Sequence, residues 1–203
     1  MTIALIEDDE AVLDSLRLLL QGRGFAVTCF KSAEAFFASP QADLSSCVVS
    51  DVRLPGKSGV DLQRALNARG VTTPIILITG HGDIAMAVTA MREGASDFIE
   101  KPYNADRLID SIERALAAKH RLRSRESERQ LLSQRAAELS PRQREVMNLV
   151  AAGLSSKQIA ARLGISHRTV ENYRAWIMER MDAGNVAELV RKVLILETAK
   201  TPK

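Results

Sequence analysis

The chain has 203 residues, 46% of them hydrophobic and 26% charged, a balance typical of a soluble globular protein that excludes disorder as the main state. At roughly 100–200 residues per domain, the length accommodates one domain or two. No run approaches the ~20 apolar residues of a membrane span, and the start MTIALIEDDE lacks the basic flank of a secretory signal. Cys29 and Cys47 form no CxxC pattern, which argues against a zinc cluster or disulfide scaffold and for a reduced, cytoplasmic protein. The net charge of +3 conceals a gradient. Residues 1–118 hold 11 Lys+Arg against 16 Asp+Glu, a net of −5; residues 119–138 hold 6 against 3; residues 139–203 hold 11 against 6, a net of +5. An acidic front and a basic end point to two domains with different partners, the basic one facing nucleic acid.

In chain order, short apolar runs at 2–6, 26–30, 47–50, 74–78 and 97–100 predict strands buried on both faces. Helical patterns at 11–21, 32–38, 58–68, 84–92 and 104–119 separate and follow them, with Gly22, Gly70 and Gly94 as helix ends. Five βα units in series predict a five-stranded parallel, doubly wound α/β domain over 1–118. Residues 119–138 lack Gly and Pro and are dominated by charge. They read as an interdomain linker, helical and able to continue the preceding helix, with a solvated spacer as the simplest expectation. From 139 to 203 the pattern is all helical, a small four-helix domain. Ser140 caps a helix with Pro141 in its first turn and Gln143 at the capping-box position, ending at Gly153. Ser155 or Ser156 caps a short helix through Leu163, Gly164-Ile165-Ser166 form a turn, and a longer helix covers 167–181. A last helix opens near Asn185 and runs through Leu196, leaving a frayed tail at 198–203.

Strand ends carry the chemistry. Glu7 and Asp8 follow the first strand, Asp51 the third, Thr79 the fourth and Lys101 the fifth. Ligands of open α/β sheets bind beyond the carboxyl ends of the strands, so the topology gathers these five residues in one crevice. Each alone has an innocent explanation: acidic residues before a helix usually serve its dipole, and a single Thr or Lys after a strand usually does nothing. Together they supply hard oxygen ligands suited to Mg²⁺, a carboxylate able to attack phosphorus, and positive charge and a hydroxyl for a phosphoryl group.

The segments LIEDDE, SDVRLPGKSG, ILITGHGD and DFIEKP resemble the receiver domain of two-component response regulators over 1–118. The resemblance implies Asp51 as phosphoacceptor and Mg²⁺ held by Glu7, Asp8, Asp51 and the backbone carbonyl of Arg53. It makes Thr79 and Phe98 the switch pair, gives Lys101 a role at the phosphoryl group, and puts Arg53 and His81 beside the path of hydrolytic water. Glu7 stands where many members have Asp.

The two helices over 155–181, joined by a Gly-containing turn, read as a helix-turn-helix. In the second helix Val170, Tyr173 or Arg174, Ile177 and Met181 recur at core spacing, leaving Arg168, Glu171, Asn172 and Ala175 on the open face, where base edges are read. A solvated helix face is the equal alternative for those four. The run LSPRQREVMNLVAAGLSSKQIAARLGISHRTVENYRAWIMERM resembles the LuxR/NarL/FixJ class of DNA-binding domain, in its FixJ branch. That adds Thr169 to the DNA-facing set, with Lys157, Arg174 and Lys192 as phosphate contacts. It implies a FixL-like sensor histidine kinase, promoter DNA and RNA polymerase as partners, a homodimer when phosphorylated, no membrane, and activation of nitrogen-fixation or microaerobic genes.

Rival readings fare worse. A phosphotransferase of the haloacid dehalogenase type, the main alternative, also forms an aspartyl phosphate, but it usually carries a second Asp two residues on, where this chain has Arg53. A dinucleotide module would need GxGxxG after the first strand, which is absent. A receiver acting only through protein contacts leaves the basic end unexplained.

Overall fold

The computed structural model describes residues 1–42, 44–80 and 84–197, so the expectations for His81 and for the tail at 198–203 lie outside the described residues. The chain divides into two compact units, Met1–Leu122 and Arg123–Lys203.

The first unit is a parallel sheet of β1 (Thr2–Ile6), β2 (Ala26–Phe30), β3 (Cys47–Asp51), β4 (Ile75–Thr79) and β5 (Asp97–Glu100) in the order β2-β1-β3-β4-β5. Around it lie α1 (Glu10–Gly22), α2 (Ala33–Ala38), α3 (Gly59–Ala68), α4 (Ile84–Arg92) and α5 (Ala105–Ala137). Alternate strand residues feed two cores, as the pleat requires. Ile3, Leu5, Val49, Ile76 and Ile78 pack against Leu13, Leu16 and Leu20 of α1 and Leu108, Ile109 and Ile112 of α5. Ala4, Ile6, Val48, Ile75 and Leu77 pack against Phe36 of α2, Val60, Leu62 and Leu66 of α3 and Ala90 of α4. β3 and β4 each reach one residue further than expected, so Asp51 and Thr79 are the last residues of their strands. Gly22 is the last residue of α1 and lies outside the left-handed region; the reversal there belongs to Gly24, with φ +83°. Gly70 and Gly94 do turn the chain with positive φ.

Residues 119–137 are helical and continue the preceding helix as part of α5, as the sequence suggested, and the stretch beyond Leu122 belongs to the second unit. Leu132 is 2% exposed within that unit's core, and Glu128 and Glu138 pair with Arg191 and Arg180. Of the leucines in this charged run only Leu132 is buried, too little for a periodic signal, yet one buried anchor with flanking ion pairs suffices to seat a helix.

The second unit adds α6 (Pro141–Ala151), α7 (Ser156–Leu163), α8 (His167–Arg180) and α9 (Val186–Glu197). Ser140 with Gln143, and Ser155 with Gln158, form reciprocal capping boxes that start α6 and α7. Gly164, with φ +64°, ends α7, and Ser166 caps α8 two residues later. Val170, Ile177 and Met181 are fully buried, while Tyr173 and Arg174 are both half-buried.

Candidate functional site

The acidic start of α1 divides its work. Asp9 caps the helix, accepting from the amides of Ala11 and Val12 at 2.9 and 3.1 Å. Glu7, at the β1 end, is 4% exposed and turns into the crevice, whereas Asp8 is exposed. Lys101, at the end of β5, donates through Nζ to Glu7 Oε2 at 3.0 Å and to Asp51 Oδ2. The other oxygen of Asp51 accepts from the Arg53 amide at 2.7 Å. Thus three strand ends meet at one ammonium. Burial pushes the Glu7 carboxyl above its ordinary value and the Asp51 carboxylate adds to this, against the opposing pull of Lys101. Burial depresses Lys101 less than its two carboxylate partners raise it, so it stays charged.

Three supports went unnoticed in the sequence. A Cβ at Gly59 would stand 2.4 Å from the Asp51 carbonyl oxygen, so only glycine lets α3 start this close to the strand end. Glu34 accepts from the Lys57 amide at 3.2 Å and ties α2 to the loop after β3. Tyr103 packs half-buried beside the crevice, its phenol pushed up by burial. Only the LPGKSG spacing hinted at the first.

Thr79 is 1% exposed, with its carbonyl accepting from the Lys101 amide at 2.7 Å. Phe98 is half-buried on β5 and packs with Met86 and Ala90 of α4 in the same core. Among the described residues no group of three or more His, Cys, Asp or Glu is assembled as a metal site. The donor set nonetheless suits Mg²⁺: Glu7 and Asp51 offer hard oxygens directed at one point, with Asp8 adjacent and open to solvent. Mg²⁺ takes few carboxylates and keeps several waters.

In the second unit Lys157, Arg168, Glu171, Asn172 and Ala175 are exposed. Thr169 is half-buried, its hydroxyl 2.8 Å from that of Ser166 and its amide donating to the same Ser166 oxygen. Glu171 lies 3.9 Å from His167 Nε2. Half-buried Arg174 lines a groove with Ser155, Ser156 and Gln158 at the start of α7. Amides at a helix start and an arginine together favour an anionic group. Lys192 departs from expectation. It is 6% exposed, its Nζ donating to the carbonyls of Met181, at 3.1 Å, and Asp182 and pairing with Glu188 at 3.2 Å. An ammonium so engaged closes the end of α8 and is not available to a phosphate; the spacing that placed it on α9 did not reveal which face it occupies.

Residues 3–113 match the response regulator receiver domain family, and residues 137–193 the luxR family of bacterial regulatory proteins. Transcriptional regulatory protein FixJ of Bradyrhizobium diazoefficiens is 46% identical over 93% of this chain and 92% of its own length. FixJ of Azorhizobium caulinodans is 43% identical over 98% and 94%. Response regulator protein TodT of Pseudomonas putida is 39% identical over 93% and 83%. Among solved structures, response regulator StyR superposes with a TM-score of 0.77 at 39% identity, covering 95% of this chain and 98% of that one. Full-length FixJ from B. japonicum gives 0.62 at 44% identity, covering 97% of each. With a receiver model and a luxR model matched in one chain and relatives of 39–46% identity over nearly its full length, this chain belongs to the two-component response regulators with a LuxR-type DNA-binding domain, a phosphorylation-activated class of transcriptional regulator.

Proposed function

We propose that Asp51 accepts a phosphoryl group from a sensor histidine kinase and that this converts the chain into a promoter-binding dimer in the cytoplasm. The convergence of Glu7, Asp51 and Lys101 at the strand ends carries the reading. An Asp51 oxygen attacks phosphorus, the bond to the donor imidazole breaks, and its electron pair leaves with the imidazole. Lys101 exchanges its carboxylate partner for a phosphoryl oxygen, and Thr79 donates its hydroxyl to another. Mg²⁺, held by Glu7, Asp8, Asp51 and the Arg53 carbonyl, supplies charge neutralisation when bound. Drawing Thr79 inward opens space for Phe98, and the α4–β5 face, where Val88 and Met91 are each 46% exposed, becomes the dimer contact together with Arg92.

The DNA contacts in this reading are Arg168, Asn172, Glu171 and Ala175 towards bases, and Lys157, Arg174 and Thr169 towards the backbone. The regulator then acts with RNA polymerase at its promoters. On the likeness to the FixJ relatives, we assign its targets to nitrogen-fixation or microaerobic genes and its kinase to a FixL-like class. The test is intact mass after incubation with Mg²⁺ and acetyl phosphate. The parent gains one hydroxylamine-labile phosphoryl group and Asp51→Asn gains none; a phosphorylated Asp51→Asn protein refutes the assignment.

A further inference from the structure

α8 ends in a left-handed turn at Asp182, φ +52°, the one non-glycine residue with positive φ among the described residues. The Asp182 amide donates to Glu179 O at 3.0 Å and the Ala183 amide to Met178 O at 2.8 Å, which closes the last turn. Glycine is the ordinary occupant of such a position, because it lacks the Cβ that crowds this conformation. The side chain carried here instead is used. Arg135, in the last turn of α5, places Nη1 3.1 Å from Asp182 Oδ2 and 3.4 Å from the Met181 carbonyl oxygen. Beside it Glu138 pairs with Arg180 at 2.9 Å, and the Arg180 guanidinium lies 5.1 Å from the Trp176 ring centre. Leu132, almost one turn before Arg135, is anchored in the same core.

Two cations therefore hold the end of α8, and their tasks differ. Lys192 is buried and satisfies main-chain carbonyls, so the fold depends on it. Arg135 is 29% exposed and grips a side chain that the turn does not require. A partly exposed ion pair adds little to stability.

We propose that Arg135 is a positioning residue for DNA recognition. Through Asp182 and Met181 it fixes the direction of α8 and thereby the placement of Arg168 and Asn172 at the opposite end. The 14 residues of α8 make a rod about 20 Å long, so a tilt of about 5° at Asp182 moves the far end by about 2 Å. Hydrogen bonds to base edges do not survive such a shift, whereas long side chains on phosphates follow it. Loss of Arg135 therefore falls on sequence preference and spares non-specific affinity. The inference rests on α8 being the recognition helix.

The test uses the full-length chain with two probes: a duplex selected by the parent from a random-sequence pool, and a random duplex of equal length. Arg135→Gln and Asp182→Gly should each bind the selected duplex about tenfold more weakly and the random duplex within about twofold of the parent. Asp182→Gly should melt no lower than the parent, because glycine suits the turn. Arg135→Lys should recover most of the lost preference, and the double variant should be no worse than either single one. Parent-like preference in both single variants overturns the proposal, as does parallel loss on both probes with a lower melting temperature. Arg168→Ala/Asn172→Ala is the control on α8. If it keeps the parent's preference, the recognition-helix reading falls and the inference with it; if it loses preference while Arg135→Gln does not, the inference alone falls.

Discussion

At the scale of single residues, the crevice shows how little freedom its supports have. Gly59→Ala drives a Cβ into the Asp51 carbonyl oxygen, which is backbone and cannot yield. We expect a loss of more than about 2 kcal/mol and slowed phosphorylation, measured by denaturant unfolding and by the rate of mass gain with acetyl phosphate. Gly22 is the counter-case: a Cβ there meets nothing within 4 Å. Gly22→Ala should stabilise by about 0.5–1 kcal/mol, seen as a higher denaturant midpoint. Lys192→Met strips donors from two carbonyls at the end of α8 and should cost about 1–3 kcal/mol, while the slope of log affinity against log salt stays as in the parent. Lys157→Ala should do the reverse, lowering that slope by about one contact with little change in stability. A reduced slope for Lys192→Met would return that residue to the DNA surface. These residues also mark what sequence alone could convey. Glu7, Asp51 and Lys101 were legible because the strand pattern fixes where strand ends lie. Gly59 and Lys192 were not, because a close approach and a helix face depend on packing between elements distant in sequence.

At the scale of elements, β5 and α5 are joined by one carboxylate. Asp97 accepts from Arg107 at 2.9 and 3.0 Å, Ser111 at 2.7 Å, Arg114 at 3.0 Å and the Phe98 amide at 2.9 Å. Burial raises its pKa, but Ser111, Arg107 and the Phe98 amide together hold it below the ordinary value. A carboxyl held low in the folded state stabilises above its unfolded pKa, near 4, and that contribution is lost as pH falls through the lower folded value. Asp97→Asn should therefore cost about 1–2 kcal/mol at pH 7, with the gap to the parent closing below about pH 4 in unfolding curves; a gap constant with pH contradicts the account. α4 is tied at its other end to α3. Gln63 donates to Ala90 O at 2.9 Å, Asn67 to Glu93 O at 2.7 Å, and Arg64 pairs with Glu93 at 2.9 Å. The order of strands and helices was readable because each βα unit changes hydrophobic period from two to 3.6. The continuation of α5 was readable too, from a stretch without Gly or Pro; the seating of its end was not, since the burial of Leu132 depends on packing with helices that follow it in sequence.

At the scale of the whole molecule, charge and function divide together. The acidic crevice lies within the stretch of net −5 and the helix-turn-helix within that of net +5. Each unit has its own core, so Gly59→Ala should weaken the first while leaving the second near its parent stability. The link between them is the account's central claim: phosphate on Asp51 controls affinity for DNA, because dimerisation brings a second helix-turn-helix to the same duplex at high effective concentration. The direct measurement titrates a duplex selected by the phosphorylated parent with full-length parent and Asp51→Asn, each with and without acetyl phosphate and Mg²⁺, with intact mass taken from the same samples. The account predicts that phosphorylation tightens binding by the parent at least about tenfold and leaves Asp51→Asn unchanged. Equal tightening of both proteins, or a parent fully phosphorylated by mass whose affinity does not move, would contradict it.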